Sequence, residues 1–184
     1  MEQKDYGMEI VDVLARGKKH IRGISDVLDI NHMMIVRKIA SLEGENVVDF
    51  VVEGRNKVYS LKDSSEARAY ILMMESYKLI RFLAKHPFLR DVVSKLQKDN
   101  EASFACFFGG YTKERKDKNS DVEIYLESGG SSAKWVYSKE GKWDYSKLDS
   151  EFSVGVIGDS LSREIIENHV LIKGGDIFYE RIFG

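Results

Sequence analysis

The sequence has little cysteine, little proline and no low-complexity run, and each shortage excludes a class of protein. Cys106 is the only cysteine among 184 residues, which excludes an internal disulfide and leaves a zinc–cysteine site without enough ligands. Its position inside an apolar run indicates a buried, small hydrophobic side chain. The single proline and the absence of biased segments argue against flexible linkers between domains.

The sequence also lacks long apolar runs and an excess of basic charge. No apolar run approaches the roughly 18 residues that span a bilayer, and the first six residues lack signal-peptide character. We therefore expect a cytoplasmic protein with no membrane partner. The net charge of −2 argues against a protein that coats nucleic acid through bulk charge, so any such contact must come from locally placed basic residues.

The first third of the chain shows apolar residues at helical spacing in three successive segments. The stripe from Met8 to Leu14 predicts a first helix that stops near Gly17, and the run from Ile21 to Leu28 predicts a second. Asn31 is the predicted N-cap of a third helix, over residues 32–42. Ile35, Ile39 and Leu42 are its predicted inward residues, and the outward and flanking ones are His32, Met33, Met34, Arg37 and Lys38.

Two strand-like runs follow, over residues 47–52 and 57–61, with Glu53-Gly-Arg-Asn56 as a hairpin turn between them. The order helix, helix, turn, helix, hairpin resembles the winged helix-turn-helix domain, and the run from Asn31 through Val48 resembles its recognition helix and first wing strand. The resemblance implies a third helix in the major groove of double-stranded DNA and a wing that touches the backbone or the minor groove.

The basic residues of this segment agree with DNA binding. On the third helix and the wing, the predicted contact residues are His32, Met33, Arg37, Lys38, Arg55 and Lys57, and Lys18, Lys19 and His20 form a further cluster before the second helix. Acids and bases are nearly balanced over residues 1–66, so a uniformly basic footprint is absent. An ordinary solvated surface or a protein-interaction module remains an alternative for the same residues.

Residues 64–98 are a predicted helical connector. Ser64-Ser65-Glu66 is a capping start, and Pro87 ends the long helix that follows. This helix is long enough to pack against a second copy of the chain, so we expect a homodimer. The predicted fold is α+β: a winged helix-turn-helix over residues 1–63, the connector, and a further domain over residues 99–184.

In the second half, a glycine turn precedes two acids at alternate positions of one strand. Asp121 and Glu123 are two residues apart, so both carboxylates are expected on the same face of that strand. A turn of bare backbone beside two acids is what a divalent-metal and phosphate site requires. A hydrophobic strand that merely carries two surface acids would look the same.

The run Phe108-Gly-Gly-Tyr-Thr-Lys113, followed by Ser120-Asp-Val-Glu-Ile-Tyr-Leu126, resembles the signature of the minimal nucleotidyltransferases of the polymerase-beta superfamily. The segment 163–176 resembles their closing helix and strand. The resemblance implies a mixed sheet that carries a nucleotide and magnesium site. The nucleotide-binding residues would be Gly109, Gly110 and Lys113, the metal ligands Asp121 and Glu123, and the catalytic acids Asp121, Glu123 and Glu151.

Two departures from that signature favour a degenerate domain. Gly110 stands where the family has serine, and the later strand, residues 152–157, has no acid in its interior, which leaves only Glu151 at its edge. We therefore expect a DNA-binding transcriptional regulator whose second domain senses a ligand or mediates assembly. The alternative is a metal-dependent nucleotidyltransferase whose winged helix selects the target. Activity would need Mg²⁺ and a nucleoside triphosphate, whereas a degenerate domain would need no cofactor.

Overall fold

The computed structural model describes residues 4–112, 121–129, 131–137, 143–148 and 160–183. The chain divides into two compact units, Met1–Tyr77 and Lys78–Gly184, and the segment predicted as a connector is shared between them. Each unit contains its own β-sheet together with helices. The predicted α+β class is confirmed.

The first unit consists of three helices, a hairpin and the beginning of a longer helix. Its elements are α1 (Tyr6–Ala15), β1 (Lys19–His20), α2 (Ile21–Leu28), α3 (His32–Gly44), β2 (Val48–Glu53), β3 (Asn56–Leu61) and α4 (Ser65–Lys85). The strands pair antiparallel in the order β1–β3–β2. This order of elements and strands is that of the winged helix-turn-helix fold, which confirms the prediction for this unit.

Side-chain caps set where the helices of the first unit begin. Asp5 accepts a hydrogen bond from the backbone N–H of Gly7 at 2.9 Å. Asn31 caps α3 by accepting from the N–H of Met33 at 2.8 Å, as the sequence predicts. Each cap satisfies an N–H group that has no partner within its own helix.

The second unit contains the end of α4, further helices and a five-stranded sheet. Its other elements are a 3₁₀ turn (Pro87–Leu89), α5 (Arg90–Lys98), β4 (Ala102–Phe108), β5 (Val122–Ser128), β6 (Ser131–Tyr137), β7 (Trp143–Leu148), α6 (Ser160–Glu167), β8 (Val170–Lys173) and α7 (Gly175–Phe183). The strand order is β7–β6–β5–β4–β8. Every pairing among these described strands is antiparallel, so they do not form the predicted mixed sheet. Strands β4, β5 and β6 are each paired with the next strand along the chain, which requires no parallel crossover.

Helices pack on both faces of the sheet at β4 and β5. On the first face, Phe107 and Ile124 pack with Phe82 of α4 and Val93 of α5. On the second face, the buried residues of β4 and β5 pack with residues of α6 and α7. That cluster contains Phe104, Cys106, Phe108, Tyr125, Ile165, Leu171 and Phe178. Cys106 is fully buried, in agreement with the prediction of a small core residue.

No helix in the described part of the chain combines the length and the apolar character needed to cross a membrane.

Candidate functional site

Helix α3 turns one face into the core and the opposite face outward. Ile35, Ile39 and Leu42 are buried and anchor the helix, as predicted. At 3.6 residues per turn, Met33 and Arg37 lie almost opposite that anchor, and both are exposed. Met33 keeps 57% of its surface accessible to solvent, although an apolar side chain of that size gains free energy when it is buried.

The outward face of α3 is basic along its first three turns. Arg37 and Lys38 are exposed, and no acid occurs from His32 to Leu42. The acids come only where the helix ends. There, the carboxylate of Glu45 accepts hydrogen bonds from the hydroxyls of Tyr70 and Ser41, and these bonds hold its pKa below the ordinary value.

The wing is a tight hairpin with a basic tip. Glu53 pairs with Asn56, so the turn itself is only Gly54-Arg55, which is two residues shorter than the predicted turn. Gly54 has φ of 62°, a left-handed conformation that glycine adopts without steric cost. Arg55 at the tip is exposed.

Lys57 is held on the wing by an aromatic side chain. Its ammonium nitrogen lies 3.7 Å from the centroid of the Phe50 ring, within the range of a cation–π interaction. All of the predicted DNA-contact residues are exposed: His32, Met33, Arg37, Lys38, Arg55 and Lys57.

Strand β1 adds a basic segment whose position could not be predicted from the sequence. Lys19 pairs with Tyr59 and His20 with Val58 on β3, the strand that carries Lys57. Arg22, which was not among the predicted contact residues, is exposed in the first turn of α2. A two-residue strand leaves no alternating pattern in the sequence, so its pairing becomes visible only in the tertiary structure.

In the second unit, the glycine turn and one of the two predicted acids come together. Gly109 has φ of 79°, and a Cβ atom at this position would overlap the Oε2 atom of Glu123. The other carboxylate oxygen of Glu123 forms an ion pair with Lys134 of β6. A metal ion bound by Glu123 would therefore compete with an ammonium group that is already part of the sheet.

Of the acids and the lysine that remain among the predicted site residues, the structure describes only Asp121. Asp121 is exposed and directly precedes β5, while Lys113 and Glu151 lie outside the described residues, as does the predicted strand over residues 152–157. In the part of the chain that the structure describes, no three His, Cys, Asp or Glu side chains form a group that could hold a metal ion. The nucleotide and magnesium assignments thus remain predictions.

The residues after the glycine turn are anchored in the second unit. The Tyr111 ring lies 4.7 Å from the ring of His86, and burial raises the pKa of its phenol. The Thr112 hydroxyl lies 2.8 Å from the carbonyl oxygen of Gly109 and 2.6 Å from that of Asn168. These contacts fix the conformation of the turn.

Comparison with known proteins gives few relatives. No protein-family model matches the chain, and no curated protein matches it. One solved structure to which the chain is similar is the homodimeric winged helix-turn-helix DNA-binding domain of a possible ArsR-family transcriptional regulator from Mycobacterium bovis. The identity is 20%, the match covers 45% of this chain and 69% of that chain, and the TM-score is 0.34. The winged-helix assignment rests on the order and pairing of the chain's own elements.

A buried ion pair on β5 had not been predicted. Both terminal guanidinium nitrogens of Arg181 donate to the carboxylate of Glu127, at 2.6 and 2.9 Å, and the Tyr125 hydroxyl donates to it at 2.8 Å. Glu127 continues the alternation that begins with Glu123, but its partner lies 54 residues away on α7. The sequence carries the acid, whereas only the packing of α7 supplies the cation.

Proposed function

We propose that the protein is a DNA-binding transcriptional regulator, in which α3 and the wing of the first unit bind double-stranded DNA. The observation that carries the proposal is the division of α3 into a buried apolar face and an outward face on which Arg37 and Lys38 are exposed. Such a helix can enter the major groove without disturbing its own core. The Arg55 tip and the Lys57 strand supply phosphate contacts.

The protein has a net charge of −2, and its proposed ligand, DNA, is a polyanion. The local placement of basic residues makes the two compatible. Two acids of the first unit are engaged within the protein: Asp12 by Arg16 at 2.8 Å, and Glu45 by Tyr70 and Ser41. The exposed cations of α3 and the wing can therefore meet phosphates although the chain as a whole is slightly acidic.

We propose that the protein acts in the cytoplasm as a homodimer. The support is helix α4, on which Met73 keeps 52% of its surface exposed. A second copy of the chain would remove this apolar side chain from water.

A salt series on the full chain tests DNA binding. Fluorescence anisotropy with a mixed-sequence duplex should show an affinity that falls steeply with salt. Arg37→Ala should weaken binding, and Arg55→Ala should reduce the slope of log K against log salt by about one. Arg16→Ala is the matched control, because Arg16 is an exposed arginine already paired with Asp12. Absence of binding at low salt, or an equal loss in the control, contradicts the proposal.

For the second unit we propose a degenerate nucleotidyltransferase-like domain that senses a ligand or mediates assembly. The support is the sequence resemblance around Gly109 and Glu123, which the structure places next to each other. The ion pair to Lys134 favours a structural use of Glu123. The alternative remains transfer of a nucleotide with Mg²⁺.

The two uses of the second unit are separable by experiment. The full chain is incubated with labelled nucleoside triphosphates and Mg²⁺ or Mn²⁺, and both bound and transferred label are measured. A degenerate domain gives no transfer. Transfer that is lost in Asp121→Ala would establish the enzyme instead.

A further inference from the structure

Two methionines are exposed on the outward side of α3, which also carries Arg37. Met33 and Met34 keep 57% and 39% of their surfaces accessible, and both belong to the first turn of α3, whose start is fixed by the Asn31 cap. Large apolar side chains in such positions are available to an apolar group of a ligand. In duplex DNA, the apolar group offered in the major groove is the C5-methyl of thymine.

Met33 and Arg37 are placed to act together. They are one helical turn apart, so their Cβ atoms are about 6 Å from each other, and both point away from the buried anchor of α3. Ala40 continues the same line and is also exposed, and its small side chain would let a groove wall approach the helix. Successive base pairs are about 3.4 Å apart, so the two side chains span one or two base steps.

From this we propose that α3 recognises a guanine and a nearby thymine in the same major groove. Arg37 donates to the O6 and N7 acceptors of guanine, and Met33 covers the methyl group of a thymine one or two base pairs away. This inference rests on the proposed DNA binding and adds the class of sequence that is recognised. Lys38 and Arg55 contribute phosphate contacts that do not depend on sequence.

The test uses the full chain and chemically modified DNA. A preferred duplex is first selected from a random pool, and each of its thymines is then replaced singly by deoxyuridine, which removes only the methyl group. One replacement should weaken binding about three- to fivefold, the value expected for one buried methyl group. The same replacement should have no effect on the variant Met33→Ala.

A second substitution addresses Arg37. Replacing the contacted guanine by 7-deazaguanine removes the N7 acceptor and should weaken binding about fivefold or more, within the range of a bidentate base contact. The variant Arg37→Ala should be insensitive to this replacement. Val27→Ala, at an equally exposed apolar residue on α2, is the control and should keep the full response to both modified bases.

The outcomes distinguish the inference from the function on which it rests. Duplex binding without any selected sequence, or a response to deoxyuridine that is equal in the native chain and in Met33→Ala, overturns base reading by Met33 while DNA binding stands. Absence of duplex binding at low salt overturns both. Each comparison is the ratio of the affinities of one variant for modified and unmodified DNA. A general loss of affinity or of folded protein affects both affinities equally and so cannot imitate the expected result.

Discussion

The carboxylate of Glu123 lies against Gly109, in the space that a Cβ atom at position 109 would occupy. Lys134 holds the same carboxylate through an ion pair from the neighbouring strand. The glycine turn and the acid therefore form one packed unit with a lysine, and the conformation of each depends on the other. Sequence spacing alone presents the turn and the acid as a site for phosphate and metal.

Gly109→Ala should destabilise the second unit. The added Cβ forces Glu123 away from Lys134. In addition, position 109 has φ of 79°, and a left-handed backbone conformation costs a residue other than glycine about 1–3 kcal/mol. Urea denaturation should show a lower midpoint with an unchanged m-value. Gly44→Ala is the control, because nothing lies within 4 Å of a Cβ there. Equal stability of the native chain and Gly109→Ala would contradict the packing described.

Removing Arg181 should cost more than removing the whole ion pair. In Arg181→Met, the buried carboxylate of Glu127 loses both guanidinium hydrogen bonds and keeps the one from the Tyr125 hydroxyl. An uncompensated buried charge costs about 3 kcal/mol. The double variant Glu127→Gln with Arg181→Met carries no buried charge and should recover at least half of that loss. Thermal unfolding of the four proteins in a double-mutant cycle measures the difference. A double variant that is less stable than Arg181→Met would refute this account.

Tyr70 and Glu45 should titrate away from their ordinary ranges. The hydrogen bond to Glu45 raises the pKa of Tyr70 to about 12, and that of Glu45 is lowered first by the same bond and then by Ser41. The stabilisation from Tyr70 is complete below pH 10 and is lost as the pH rises toward 12. That from Glu45 is complete above its ordinary pKa and is lost as the pH falls through the lowered value.

The measurement is a difference titration of tyrosinate absorbance between the native chain and Tyr70→Phe. The difference should show one phenol that ionises near pH 12. In the same variant, NMR should show the pKa of Glu45 moved back toward 4.5, its ordinary value. A phenol with a midpoint near 10, the ordinary tyrosine value, would exclude the hydrogen bond.

Asn31→Ala should weaken the start of α3. It removes the side-chain acceptor for the N–H of Met33, and loss of an N-cap costs about 1 kcal/mol. Asn31→Asp keeps an acceptor at the same place and should retain most of the stability. Hydrogen exchange at the Met33 and Met34 amides should rise in the alanine variant and stay near the native rate in the aspartate variant. An alanine variant with native exchange rates would show that the cap does not hold this turn.

The helices of the first unit could be predicted from the sequence because their signals are local. The spacing of Ile35, Ile39 and Leu42 indicates the buried face of α3, and Asn31 marks its first residue. The predicted α3 ends at Leu42, two residues before the observed end at Gly44. The sequence has no strong helix-stop signal at Leu42. Helix α7 was not predicted. Gly174, directly before it, is a possible turn signal in the sequence, and in the structure it has φ of 85°.

By itself, the sequence determined the winged helix, because caps, helical periodicity and hairpin residues act within a few positions of one another. It also determined that Gly109 and Glu123 would be close, since they lie at the two ends of one connection between paired strands. The tertiary structure alone decided their chemical environment. Which cation meets Glu123 or Glu127 depends on the register between β5 and β6 and on the packing of α7, and neither is encoded in local spacing. A carboxylate is a metal ligand or an ion-pair partner according to the charge that the fold places beside it.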